Sequence, residues 1–393
     1  MTFNFDEIIE RRHSDSMKWA FPEKNLTPDE VAADPLPMWV ADMDFKSPPV
    51  VLEALQAKVK EGMFGYPGAT QSYLEAVAGW QKKRFGWDAS PEWAVQTPGV
   101  VTALNTIIQA FTNPGDSVLV QPPVYVHFHQ DVITNGRQVA YAPLVRDGDI
   151  YRFDAEIFEK AIRPNTKLFI LCNPQNPTGN VWSEEDLRIM GDICIKHNIL
   201  IVSDEIHEDL IFNPSVRHIP FASLGQKYAD HCFVCTAPSK TFNIAGLQCS
   251  NIFIPNRKIR EELQRQLEKN GLHFINPLGM TACEAAYRHG DTWLDEVLAY
   301  IRGNHEFLAS EVSRKMPKLK VFRSDALYLA WMDCSGLGMQ PAELEKFLLT
   351  KARVWFDKGQ KFGPEQGCFM RVNVGCPRST LEDALNRMSQ VIS

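Results

Sequence analysis

Three short stretches of the 393-residue chain combine residue types that covalent chemistry needs. The apolar run Ile199–Ser203 meets Asp204, with Glu205, Ile206 and His207 behind it, so a carboxylate stands where a strand enters its loop. In an open α/β sheet that edge is where ligands collect, although a lone aspartate there also serves to cap the next element. A second apolar run, Cys232–Thr236, delivers Ala237-Pro238-Ser239-Lys240-Thr241-Phe242-Asn243. A lysine set directly after a buried strand loses hydration, which lowers its pKa and makes it a nucleophile toward carbonyl carbon. Ser239 and Thr241 beside it are donors suited to a phosphate. The alternative is an ordinary solvated loop lysine. The third stretch, Asn173-Pro174-Gln175-Asn176-Pro177-Thr178-Gly179, follows the run Lys167–Cys172. Two Asn-Pro pairs and a glycine make a stiff loop whose apical amide donates a directed hydrogen bond.

These stretches require a scaffold that brings strand ends together. Ser117–Gln121, Lys167–Cys172, Ile199–Ser203 and Cys232–Thr236 are brief, continuous runs of β-branched and aromatic residues, the pattern of strands buried on both faces. Helical periods separate them, and the one after Trp182 opens with Ser183 three residues before Asp186, a capping-box-like start. The alternation predicts an α/β fold with a mostly parallel, helix-covered sheet. Upstream, Val51, Leu52, Leu55 and Val59 recur at helical spacing after Pro48-Pro49, and a second amphipathic helix is expected over 70–85. Beyond residue 290 the rhythm changes to a long helix (291–316), strands at Lys320–Arg323, Leu327–Met332 and Phe369–Val374, a helix near 341–351 and a closing helix. The expected division is a large domain, 46–288, and a smaller α+β domain built from 1–45 and 289–393.

Composition narrows the partners. Lys+Arg 41 against Asp+Glu 48 leaves a net charge of −7, the opposite of the basic footprint that nucleic acid selects. No stretch approaches the ~18 uncharged apolar residues of a membrane helix, and the first residues lack a secretory pattern, so the expected location is the cytoplasm. The nine cysteines are scattered through apolar runs and read as reduced core residues. Cys232-x-x-Cys235 lacks a second pair and its members fall on opposite faces of a strand, and His127-x-His129 shows no carboxylate third ligand, so no metal is expected.

Taken in order, the Asn-Pro-x-Asn-Pro-Thr-Gly loop, the strand ending in aspartate, the Ser239-Lys240 pair and the late Arg371-x-Asn373 resemble the fold-type I pyridoxal-phosphate-dependent superfamily, the aspartate aminotransferase-like enzymes. The likeness extends over nearly the whole chain. Within that superfamily Met38-Trp39-Val40-Ala41-Asp42-Met43-Asp44-Phe45, Ser203–His207 and Ala237–Asn243 look most like the cystathionine β-lyase-like carbon-sulfur lyases of the MalY/PatB type. The resemblance implies a PLP-dependent transferase-like fold, pyridoxal 5'-phosphate as cofactor, a small amino-acid substrate and a homodimer with a shared active site.

It also implies roles residue by residue. Lys240 matches the lysine that binds the cofactor aldehyde and later removes the α-proton, and Asp204 the anion beside the pyridine nitrogen. Asn176 matches the partner of the ring oxygen O3′, placed beside the substrate, and Tyr125, in Pro122-Pro123-Val124-Tyr125, the aromatic stacked on the ring. Val100 and Val101, after Thr97-Pro98-Gly99, match the helix start whose N–H groups hold the phosphate, with the Ser239 hydroxyl added. Tyr66, in Gly65-Tyr66-Pro67-Gly68, matches a catalytic-site tyrosine that reaches the neighbouring subunit's phosphate, its alternative being a turn aromatic that only packs. Arg371 matches the arginine that grips the substrate α-carboxylate, its alternative being a surface ion pair.

Two positions depart from the aminotransferase pattern. His207 stands where a tyrosine near the cofactor is usual, and Gln248 where a phosphate-binding arginine is usual, and both departures favour the lyase branch. The reaction so implied is β-elimination of cystathionine or related cysteine S-conjugates to thiol (homocysteine), pyruvate and ammonia. A class I/II aminotransferase, and a PLP-binding regulatory protein acting through a protein partner, are the alternatives.

Overall fold

The computed structural model describes residues 2–392. Seven strands form its central sheet: β1 (Ala94–Thr97), β2 (Ser117–Val120), β3 (Gln138–Tyr141), β4 (Thr166–Cys172), β5 (Leu200–Asp204), β6 (Cys232–Thr236) and β7 (Ser250–Phe253). Their spatial order is β1-β7-β6-β5-β4-β2-β3. All neighbours run parallel except β7, which is antiparallel to both β1 and β6.

The apolar runs are continuous because both faces of the sheet are covered. Along β4, Phe169 and Leu171 pack into one core while Leu168 and Ile170 pack into the other, and β6 divides Val234 from Phe233 and Cys235 in the same way. Among the helices are α1 (Pro49–Glu61), α2 (Gln71–Phe85), α3 (Val100–Phe111), α4 (Glu184–Lys196) and α5 (Arg257–Lys269). Tyr73, Val77 and Trp80 of α2 and Leu187 and Met190 of α4 fill the first core. Leu104 and Ile107 of α3 and Leu263 of α5 fill the second. As the sequence predicts, Ser183 caps α4, its hydroxyl accepting the Asp186 N–H at 3.0 Å.

The C-terminal region adds the long helix α6 (Asp291–Lys315) and a four-stranded antiparallel sheet of β8 (Lys320–Val321), β9 (Leu329–Asp333), β10 (Asp357–Lys358) and β11 (Phe369–Asn373), in the order β8-β9-β11-β10. A closing helix, α7 (Arg378–Ser389), packs beside it. Trp293, Val297 and Ile301 of α6 belong to the first core of the large sheet, whereas Leu308 and Val312 belong to a separate core with Leu344, Met370 and Leu385. All three strands predicted in this region differ from their expected bounds, the one expected over Phe369–Val374 ending one residue earlier, at Asn373. The one predicted over Lys320–Arg323 ends at Val321, because the Arg323 N–H turns away to Asp149 O. The one predicted from Leu327 begins at Leu329, because Leu327 adopts a left-handed conformation, φ 75°, and donates to Leu210 O instead.

The irregular N-terminal segment is bound to both regions. Leu36–Pro37 pairs in parallel with Val354–Trp355, while the Phe5 ring sits 5.1 Å from Phe45 and 5.8 Å from Trp293. Asp44 gathers three donors: Arg11 Nη1 at 2.8 Å, Lys18 Nζ at 2.6 Å and Trp19 Nε1 at 2.9 Å. The Lys18 side chain is 0% exposed, and its ammonium depends chiefly on that carboxylate, the next one, Asp42 Oδ1, lying 4.0 Å away. Asp44→Ala is therefore expected to lower stability by about 3–5 kcal/mol, the cost of leaving a buried charge unpaired, as read from urea unfolding midpoints. A loss within about 0.5 kcal/mol, the range of ordinary surface substitutions, would show that this pair does not hold the segment in place.

Candidate active site

The parallel register sets Cys172 beside Asp204 and Asp204 beside Cys235, so β4, β5 and β6 end level and their loops leave one edge. Side chains alternate across the sheet, and this decides which acidic residue faces the ligand edge. Asp204 opens to the cavity there, whereas Glu205 turns into the interior, accepting from Ser203 Oγ at 2.7 Å, Phe221 N at 2.9 Å and His218 Nε2 at 2.6 Å. Glu205, Glu208 and His218 lie close enough to share a metal ion. Their approach is already accounted for by the hydrogen bond between His218 Nε2 and Glu205 Oε2.

The Asn-Pro loop after β4 is built as a rigid bracket. The Asn173 N–H donates to Asp204 O at 2.9 Å and the Gly179 N–H to Gln175 O at 2.7 Å. Gln175 Nε2 donates to Gln121 O at 3.0 Å and Pro123 O at 2.8 Å, tying this loop to the one that carries Tyr125. Gly179 has φ 72°, and a Cβ there would collide with Ser324, so both the backbone and the space exclude a side chain.

Within this frame lies a cavity of about 310 Å³ that brings together Tyr125, Asn176, Asp204, His207, Ser239 and Lys240. One wall is the start of α3, where Val100 and Val101 sit in the first turn. First-turn N–H groups have no carbonyl within their own helix. Gln248 lines the same region. Arg371 lies behind Asn176, donating to its Oδ1 at 3.2 Å, to Trp39 O at 3.1 Å and to Asp357 Oδ2 at 2.8 Å. It is buried rather than a surface arginine, and its Nε has no partner among the described residues. Since Asn176 spends its carbonyl on Arg371, its amide N–H groups are what remain for a ligand.

Burial sets the charge states. It lowers the Lys240 ammonium to about 8; the Asp42 and Asp204 charges oppose that shift and the Arg371 charge adds to it. It raises the Asp204 carboxyl to about 7, assisted by Glu205 and opposed by the Ile206 N–H and the Lys240 charge. It holds the His207 imidazole well below its ordinary range, with the Lys240 and Arg371 charges adding to the effect, so this ring is neutral. Tyr125 is pushed up to about 12, again chiefly by burial, and keeps its proton.

This donor set fits a phosphorylated pyridine aldehyde. A buried carboxylate raised by desolvation is stabilised by a cationic ring nitrogen, free first-turn N–H groups take a phosphate, and a dehydrated amine condenses with an aldehyde. Two predicted residues do not line the cavity: Arg371, which reaches it only through Asn176, and Tyr66, which lies away from it. Tyr66 is 91% exposed and its ring rests against Phe274 at 5.2 Å. Sequence reasoning gave no role to Ala41, whose carbonyl accepts Lys240 Nζ at 2.7 Å and Tyr328 Oη–H at 2.8 Å, nor to Asp357. A backbone carbonyl leaves no signal in residue type; Asp357, paired with both Arg371 and Lys361, is legible only once the strands are aligned.

Residues 35–388 match the family described as aminotransferase class I and II. The chain is 45% identical over 391 residues to "Cystathionine beta-lyase PatB" of Bacillus subtilis, covering 99% of this chain and 100% of that protein. Cystalysin from Treponema denticola, whose crystal structure contains a pyridoxal 5'-phosphate cofactor, is similar at TM-score 0.94 and 34% identity, covering 99% of this chain and 98% of that one. A PLP-bound C-S lyase from Staphylococcus hominis is similar at TM-score 0.91 and 32% identity, covering 99% and 98%.

The lowered Lys240 value makes a prediction that needs no assumed reaction. In cofactor-free protein, borohydride-trapped labelling of Lys240 by a small aldehyde should rise with pH through a midpoint near 8, because only the neutral amine reacts. Peptide mass spectrometry reads the label. A midpoint at the ordinary lysine value of 10.5 would show a solvated side chain instead.

Proposed function

The chain belongs to the aminotransferase class I and II family, and from that premise we propose that it is a PLP-dependent carbon-sulfur β-lyase acting on cystathionine or related cysteine S-conjugates. The products are a thiol (homocysteine from cystathionine), pyruvate and ammonia. The observation that carries the lyase reading is the 45% identity, end to end, with a cystathionine β-lyase, because the cavity residues by themselves serve elimination and transamination alike. Among the described residues no helix is long and apolar enough to cross a membrane. All nine cysteines are free, which suits the reducing cytoplasm to which we assign the protein.

The residues divide the work as follows. Lys240 holds the cofactor aldehyde, Asp204 the protonated ring nitrogen, Asn176 the ring hydroxyl oxygen and Tyr125 a face of the ring. Val100 and Val101 hold the phosphate through their N–H groups and Ser239 through its hydroxyl. When bound, pyridoxal 5'-phosphate draws electrons from the bonds at the substrate's α-carbon. Arg371 receives the α-carboxylate with its guanidinium. Its charge is available because Asp357 also pairs with Lys361 at 2.6 Å, so two cations share one carboxylate. Lys240, once free, takes the α-proton on Nζ, a role that its lowered pKa supports. His207, neutral and lining the same cavity, adds no positive charge that would compete with the ring nitrogen for Asp204.

We further assign residues 46–288 to the large, cofactor-holding unit and 1–45 with 289–393 to the small unit, a division supported by the separate core around Leu344 and Leu385. The working form is a homodimer in which Tyr66 reaches the other subunit's phosphate. Supporting this, Met63, Phe64, Tyr66 and Phe274 are each more than half exposed, an apolar surface that a second copy would cover.

Two measurements test these assignments. Purified holoprotein given cystathionine should release pyruvate and thiol without any keto-acid acceptor, and Lys240→Ala should lose at least about 10³-fold in rate, since nucleophile and base are removed together. Turnover only with an acceptor would make the protein a transaminase. A second experiment mixes Lys240→Ala with Tyr66→Ala chains after unfolding and refolding together. Recovery of activity in the mixture, absent from either variant alone, is the expected result for a site shared across subunits; no recovery would confine each site to one chain.

A further inference from the structure

Both charged arms of the cavity meet one loop, residues 38–45. Ala41 O accepts from Lys240 Nζ at 2.7 Å and from Tyr328 Oη at 2.8 Å, while Trp39 O accepts from Arg371 Nη2 at 3.1 Å. The loop belongs to no regular element, so its carbonyls are held in place from outside. Two asparagines do this. Asn243, three residues after Lys240, accepts the Met43 N–H at 3.0 Å and donates to Met43 O at 2.9 Å and Phe45 O at 2.8 Å. Asn373, two residues after Arg371 and so on the same face of β11, donates to Val40 O and Asp42 O, both at 2.6 Å. Its own Oδ1 accepts the Gly375 N–H at 2.8 Å.

We infer that Asn243 and Asn373 are positioning residues, which grip the 38–45 loop from two sides so that its Ala41 carbonyl holds the Lys240 amine and its Trp39 carbonyl orients Arg371. The inference rests on the proposed reaction, in which Lys240 would serve as the base and needs a fixed resting place for its amine within reach of the substrate. It goes beyond that reading by naming residues that touch neither cofactor nor substrate. The residue type follows from the geometry, because each position must donate two N–H groups to carbonyls and accept one N–H, which only a primary amide does. Asn243 also adopts φ 57°, a left-handed conformation that asparagine tolerates better than most residues. Aspartate keeps the acceptor but turns a negative oxygen toward two carbonyls.

The test uses holoenzyme carrying Asn243→Asp, Asn373→Asp or, as a backbone-permissive second choice at the left-handed position, Asn243→Gly. Amide hydrogen exchange over residues 38–45, the pH midpoint of the visible cofactor band, and kcat and KM are measured together. The Asn243 variants should exchange faster in the loop, shift the band's midpoint and lose about tenfold or more in kcat with KM changed less than about threefold, the split expected when a reacting group is misplaced. Asn373→Asp should instead raise KM about tenfold, because it loosens the carboxylate grip. Faster exchange with band, kcat and KM all unchanged would overturn the inference and leave the asparagines a purely structural role; unchanged exchange would overturn it too. If wild-type holoprotein shows no visible band, the cofactor reading fails instead. The same variants then still decide, because an aldehyde-labelling midpoint of Lys240 identical to wild type would overturn the positioning role by itself.

Discussion

The hydrogen-bond ladders between β4, β5 and β6 hold Cys172, Asp204 and Cys235 level, and the rest of the site is referred to that alignment. Because side chains alternate with a period of two, a slip of one residue in β5 would exchange Asp204 for a neighbour and send the carboxylate to the wrong face. Continuous apolar runs prevent the slip, since Ile201 and Val202 already belong to opposite cores. The loops then inherit their positions. Asn173 is tied to Asp204 O, Gln175 to the backbone before Tyr125, and Lys240 follows β6 by a single helical turn.

Electrostatics inside this frame are set by the absence of water. An ammonium, a carboxylate and an imidazole share a cavity whose walls are largely apolar, and each is displaced from its ordinary pKa chiefly by desolvation. The directions are complementary. Lys240 moves toward the neutral amine that reacts, His207 stays uncharged, and Asp204 is left as a buried acid whose ionised form depends on a cation being supplied. A ligand with a protonated ring nitrogen satisfies that demand. Arg371, at the far side of Asn176, faces Asp357, a carboxylate that also pairs with Lys361.

The candidate site joins the two sheets of the molecule. Lys240 and Asp204 stand at the edge of the large sheet, whereas Arg371 stands on β11 of the small one, opposite Trp331 and Asp357. Their relative placement is carried by the N-terminal segment, which pairs with Val354–Trp355, anchors Asp44 on Arg11, Lys18 and Trp19, and passes its 38–45 loop between the two arms. The helix α6 spans both cores and makes the same connection from the far side.

Local order along the chain was enough to determine the strands β2, β4, β5 and β6, the capped start of α4, and the stations of Asp204, Asn176 and Lys240 at strand ends. Those features depend on neighbours a few residues away: alternation, caps and stiff turns act through the backbone itself. Tertiary structure alone decided that the Ala41 and Trp39 carbonyls meet Lys240 and Arg371, since every backbone carbonyl looks alike in sequence and the partners are 199 and 332 residues apart. It decided that Leu327 turns left-handed, because that turn serves a bond to Leu210 across the fold. It likewise decided that Glu205 faces His218 rather than the cavity. A side chain's type states what chemistry it can do; the packing of distant segments states what it is next to, and only that fixes its charge.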